Sequence, residues 1–111
     1  MTITWADFEK IGIHVGTIIE ANDFPKARKP AYKLLIDFGD TIGQKQSSAQ
    51  LTVHYKKEAL LNRQVIAVVN FPPKQIADFV SECLVLGIYD ENNDVILLGP
   101  ERPAKNGQKI G

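Results

Sequence analysis

The stretch Gln64 to Val69 constrains this chain more than any other. Val65, Ile66, Ala67, Val68 and Val69 form an almost wholly apolar, β-branched run that passes directly into Asn70-Phe71-Pro72-Pro73. β-branched side chains suit a pleated, buried surface and prolines end a central strand, so the run predicts a core strand that stops abruptly at a rim. A second apolar run, Leu84 to Leu86, follows Ser81-Glu82-Cys83. It is read as core too, and any chemistry is expected where the first run stops.

The remaining chain supplies the partners of that strand. Thr4 followed three residues later by Asp7 is a capping pattern for a short helix through Lys10, which sets Trp5 and Phe8 on one face. So short a helix is marginal alone, so the two aromatics must bury against the core or against another subunit. From Ile11, the residues Ile11, Ile13, Val15, Thr17, Ile19 and Ala21 alternate with Gly12, His14, Gly16, Ile18 and Glu20, the period of a long strand with one apolar face. The two glycines suit a strongly coiled strand, because side chains crowd where a sheet curls. Asn22 to Pro30 is a loop carrying Lys26, Arg28 and Lys29, read either as a solvated basic loop or as a phosphate contact.

Ala31 to Asp37 alternates as a second strand, and Phe38 to Gly43 is a connecting loop. Lys45 to Leu51 reads as a third strand, polar enough that it must face a ligand or pair at an edge. Thr52 to Asn62 reads as one helix with Tyr55, Ala59 and Leu60 inward and Asn62 as its stop. Ser81 to Tyr89 is a fifth strand, Asp90 to Asp94 a turn, and Val95 to Leu98 a short sixth strand. The polar, proline-rich tail from Gly99 to Gly111 either frays or lies on a partner.

Three strands, a short helix and two or three more strands make an all-β chain. The layout is that of a Greek-key barrel of the oligonucleotide/oligosaccharide-binding (OB) type, with residues 1–10 and 99–111 as terminal extensions. A chain of 111 residues is one domain. Thirteen basic and thirteen acidic residues cancel, so polyanion binding must come from how charge is distributed. The single cysteine excludes an internal disulfide and fits a reducing cytoplasm. An acidic N-terminal segment does not read as a signal peptide, and no apolar run is long enough for membrane insertion.

Catalysis finds no machinery. There is no nucleophile elbow, no phosphate-cradling glycine loop and no cluster at metal-ligand spacing. His14 and His54 stand unaccompanied, and Cys83 beside an apolar run reads as a small core residue. No cofactor or metal is expected. Binding is better supported: Arg28, Lys29, Lys33 and Lys74 fall in loops or at strand ends that such a barrel brings to one rim, with Ser47, Gln50, Asn70 and Ser81 as neutral hydrogen-bonding groups. Phe71 and Phe79 either bury beneath the loop or stack on a base or an apolar peptide.

With these residues placed, the chain resembles the tRNA-binding domain family. Its hallmarks are an asparagine after the fourth strand, a proline three residues on and a serine eleven residues on, here Asn70, Pro73 and Ser81. Its Ala-x-Lys-Leu at the second strand is Ala31-Tyr32-Lys33-Leu34. Asp23 to Leu34, Ser47 to Gln50 and Asn70 to Ile76 are similar to the stand-alone CsaA branch, described as export-related chaperones with tRNA-binding character. The resemblance implies tRNA as ligand, with unfolded or secretory polypeptides and export machinery as the alternative partners. It also implies a homodimer whose interface is built from the extensions, including Trp5 and Phe8. Asp78 and Cys83 replace glycines of the wider family, and Leu84 replaces a methionine.

Overall fold

In a computed structural model that describes residues 1–111, one strand organises the barrel. Strand β1 (Ile13–Asp23) pairs antiparallel with β4 (Gln64–Val68) through its first half, Ile13↔Val68 to Thr17↔Gln64. Its second half pairs with β2 (Tyr32–Asp37), Thr17↔Asp37 to Asp23↔Tyr32, and the register shifts between Ile18 and Glu20. A single long strand thus serves two sides of a curled sheet. The bend needs Gly16, where an added Cβ would lie 2.7 Å from Ile36 Cγ2 and from the Phe38 ring.

With β3 (Gln44–Ala49) beside β2 and β7 (Leu84–Val85) beside β4, the sheet runs β3-β2-β1-β4-β7. This is the expected all-β, OB-like barrel, nearly closed. Ile18, Leu34, Ile36, Phe38, Leu60 and Val65 are its most deeply buried apolar residues.

The two edges meet along a seam stitched largely by side chains. Glu82 N–H donates to the Gln46 carbonyl at 2.8 Å, and the Glu82 carboxylate accepts from Gln46 N–H at 3.0 Å. Ser81 Oγ accepts from Ser48 N–H at 3.2 Å, and Ser47 Oγ donates to the Cys83 carbonyl at 3.1 Å. The polar third strand thus closes an edge, one of the two roles its polarity leaves open.

Elsewhere the structure departs from the sequence reading. The helix over 52–62 is one turn, α3 (Lys57–Leu60). Tyr55 faces inward as expected and its N–H reaches Leu51 O, but its carbonyl accepts from Tyr32 Oη–H while Ala59 N–H turns to Lys56 O, and its hydroxyl accepts from Leu97 N–H. Leu60 is buried but Ala59 is exposed; Asn62, at φ +66°, ends the turn as expected.

The fifth strand is divided because the chain changes partners. The rim loop is a hairpin of β5 (Lys74–Ile76) and β6 (Phe79–Ser81), turned through Ala77 at φ +52°. After β7, β8 (Gly87–Tyr89) pairs with β9 (Val95–Leu97) as a separate arm. Leu84, expected in the core, is 48% exposed. The loop after β2 contains a helical turn, α2 (Gly39–Ile42).

The tail does not fray. It takes the edge of β1 that β2 leaves open: Val15 N–H to Gln108 O at 3.0 Å, Gly107 N–H to Val15 O at 2.8 Å, and Ile110 N–H to Ile13 O at 2.9 Å. His14 Nδ1 lies 2.9 Å from the Gly107 carbonyl, which can only accept, so Nδ1 carries the proton. His14 is therefore a strap contact rather than a solvated side chain.

The N-terminal helix α1 (Trp5–Glu9) has the full capping box of Thr4 and Asp7 but buries none of its residues. The Trp5 and Phe8 rings meet 5.5 Å apart at a tilt of 44°, with Trp5 69% exposed. No helix is long and apolar enough to cross a membrane.

Candidate nucleic-acid interface

The β1–β2 loop and the β5–β6 hairpin face each other and are joined at two points. Phe24, buried at the loop's start, meets Phe79 edge-on at 5.5 Å, and Lys33 Nζ lies 5.6 Å from one ring centroid and 6.0 Å from the other. A cation over aromatic faces is attracted by the ring quadrupole, so β2 presents an oriented ammonium. Beyond it, Lys26 Nζ reaches Asp78 Oδ2 at 3.1 Å, and that donated bond holds the Asp78 carboxyl below the usual carboxylate range. Arg28, Lys29, Lys33 and Lys74 form no ion pair.

Two clefts flank the seam. One, of about 400 Å³, is lined by Phe71, Lys74, Ser81, Cys83 and Leu84 with Ser48. The other, of about 410 Å³, is lined by Lys29, Gln50, Val53 and Tyr89, again with Ser48 and Leu84. Ser48 and Leu84 are thus the divide between them, and Leu84 stands exposed because it crests that ridge. Phe71 is 55% exposed over the first cleft, whereas Phe79 is half-buried against Phe24.

The structure therefore brings Phe71, Lys74 and Ser81 together, Lys29 and Gln50 together, and Lys33 with Phe79. Arg28 is exposed on the loop beside Lys29. Two residues stand apart. Ser47 is 1% exposed with its hydroxyl given to the seam, so it lies beneath the rim rather than on it. Asn70 accepts from Gly12 N–H at 2.9 Å and donates to Lys10 O at 2.7 Å, fastening the end of β4 to the approach to β1. Phe24 was missed by sequence reasoning; the only signal was an aromatic followed by proline at a loop entrance.

Nothing in the site is poised for covalent chemistry. Burial pushes the Cys83 thiol up to about 11, which keeps it protonated at neutral pH. His54 is not alone: its Nε2 lies 2.6 Å from Asp90 Oδ2, with Asp94 close enough that all three donor atoms fall within 4.8 Å. Both Asp90 oxygens are already engaged, Oδ1 by the N–H groups of Asn92 and Asp94 and Oδ2 by His54. Those bonds, the Asp94 N–H foremost, hold the Asp90 carboxyl below its ordinary range. The trio locks the β8–β9 turn.

Comparison with known proteins places this geometry. The family profile described as "Putative tRNA binding domain" matches residues 13–109. The crystal structure of a CsaA chaperone protein from Picrophilus torridus is 57% identical, with a TM-score of 0.93 over 99% of this chain and 100% of that one. That of chaperone CsaA from Bacillus anthracis str. Ames is 48% identical, with a TM-score of 0.94 over 100% of both chains. The methionine–tRNA ligase of Pyrococcus abyssi is 37% identical over 110 residues, 99% of this chain. The chain spans only about 15% of that ligase's length.

Proposed function

The chain belongs to the tRNA-binding domain family, in its CsaA branch, and from that premise we propose that it is a non-catalytic tRNA-binding protein recognising tRNA by shape and phosphate position. The observation that carries this reading is the rim. Lys29 and Lys74 line clefts that share Ser48, Lys33 is aimed by two aromatic rings, and none of the three is neutralised by a carboxylate partner. In a chain with no net charge, Arg28 and Lys29 on the β1–β2 loop, Lys33 on β2 and Lys74 on β5 supply a local field that the composition conceals. Backbone contacts of this kind favour folded RNA over particular sequence.

A gel shift with tRNA at two salt concentrations tests the reading. Affinity is expected to fall with salt at a log–log slope of about 0.7–0.9 per phosphate neutralised. An affinity indifferent to salt removes it.

A second reading is favoured by the exposure of Phe71 and Leu84 beside a largely apolar cleft, and by the description of both similar CsaA proteins as chaperones. Here the same clefts hold unfolded or exported polypeptide, and contact with export machinery would follow. Apolar binding survives high salt, so an unfolded polypeptide that displaces tRNA from the rim, and still binds when salt has released the RNA, supports it. Either ligand is met in the cytoplasm.

The assembly proposed with this function is a homodimer. A five-residue helix that leaves Trp5 exposed and Phe8 half-buried is marginal on its own, and seating both against a second copy supplies the missing burial. Light scattering at micromolar concentration is expected to give twice the monomer mass. A monomer mass would overturn the assignment.

A further inference from the structure

We propose that Asp78 limits the protein's hold on RNA by occupying Lys26 as an internal stand-in for a backbone phosphate. This rests on the tRNA reading above and adds a residue that works against it. A carboxylate and a phosphate offer an ammonium the same thing, an anionic oxygen at hydrogen-bonding distance. Asp78 offers it at 3.1 Å from the tip of the β5–β6 hairpin, to a cation on the loop that also carries Arg28 and Lys29.

Three features make the contact a built one. The left-handed backbone at Ala77 turns the hairpin tip toward that loop. The next residue but one, Phe79, is pinned edge-on to Phe24, so the tip is held where Asp78 meets Lys26. Lys33 also contributes to holding the Asp78 carboxyl down, so the carboxylate lies in the field of two rim cations. The other acid at the loop's start, Asp23, is taken by Lys57 at 2.9 Å.

The contact is also exchangeable. The Lys26 and Asp78 side chains are 70% and 55% exposed, and pairs so open to water are weak and readily traded for another anion. RNA engaging Lys26 must first release Asp78 and then tolerate an unpaired carboxylate beside its phosphate. The rim therefore neutralises fewer phosphates than its cations would suggest.

The test is tRNA titration across a salt series with Asp78→Asn, Lys26→Ala, the double variant, and Asp40→Asn as a control that removes an exposed carboxylate elsewhere. Asp78→Asn is expected to tighten binding about two- to fivefold at low salt. It should also steepen the salt slope by up to about 0.7–0.9, the contribution of one phosphate. In the Lys26→Ala background the gain should vanish, and Asp40→Asn should not reproduce it.

A silent Asp78→Asn in a protein that binds tRNA overturns the latch alone. A full gain without Lys26 also overturns it, because the carboxylate would then act by repulsion only. If neither the wild type nor Asp78→Asn binds tRNA at low salt, the tRNA reading and the latch fall together.

Discussion

Replacing Phe38 with alanine is expected to lower the stability of the fold by about 3–5 kcal/mol, the range for deleting a buried aromatic ring. Phe38 has no exposed surface, and its ring fills the notch that Gly16 leaves in β1. Its backbone serves two further elements. The N–H donates to Gly43 O at 3.0 Å across α2, and the carbonyl lies where a Cβ on Gly107 would approach to 2.6 Å. Gly107 sits at φ +93°, which glycine adopts without strain, and as glycine it brings no such Cβ. Losing the ring withdraws support from the bend in β1, while the main-chain contacts to α2 and the tail remain in the alanine variant. Against a total of about 5–15 kcal/mol for a domain, the loss is large. Urea denaturation should show a lower midpoint at unchanged slope. A loss below about 1 kcal/mol would mean that the notch collapses without cost.

Lys33→Met is expected to weaken tRNA binding by about 1.5–3 kcal/mol, at least tenfold, if its ammonium meets a phosphate. Methionine keeps an unbranched apolar stem between Phe24 and Phe79 and removes only the charge, so the thermal midpoint should move little. The diagnostic is the salt slope, which should fall by about 0.7–0.9. Lost affinity at an unchanged slope would assign Lys33 to packing the loop instead of to contact.

The parts of the fold legible in the sequence are those written in side-chain period. The alternation of β2, the apolar β4 and the Thr4–Asp7 capping box emerge as read, whereas in β1 the register shift between Ile18 and Glu20 breaks the alternation and Ile18, read on the second face with the glycines, is fully buried. The parts that were not legible are held by bonds that hydropathy does not register. Ser47 looks like a ligand contact because it is polar, yet its partner is a carbonyl 36 residues away. Asn70 looks the same, but its two partners lie 58 and 60 residues away. The tail carries almost no apolar signal because its docking is made by main-chain groups, which every residue owns. The helix expected at 52–62 fails for a related reason, since the Tyr55 carbonyl accepts from Tyr32 while Ala59 N–H turns to Lys56 O. At the site, the basic loop could be read but its counter-charge could not: that Asp78 would meet Lys26 depends on a hairpin whose turn is made by an alanine in a glycine-like conformation.

The stitched seam between β3 and the β6–β7 segment has a consequence for how this barrel can vary. A backbone ladder is indifferent to sequence, so a barrel closed by one keeps its girth whatever its side chains become. Here the girth is set largely by the side chains of Ser47, Ser81 and Glu82, each replaceable on its own. Both clefts open along that join. Their width is therefore adjustable one residue at a time, like the notches of a belt, while the four ladders that hold β3-β2-β1-β4-β7 together stay untouched.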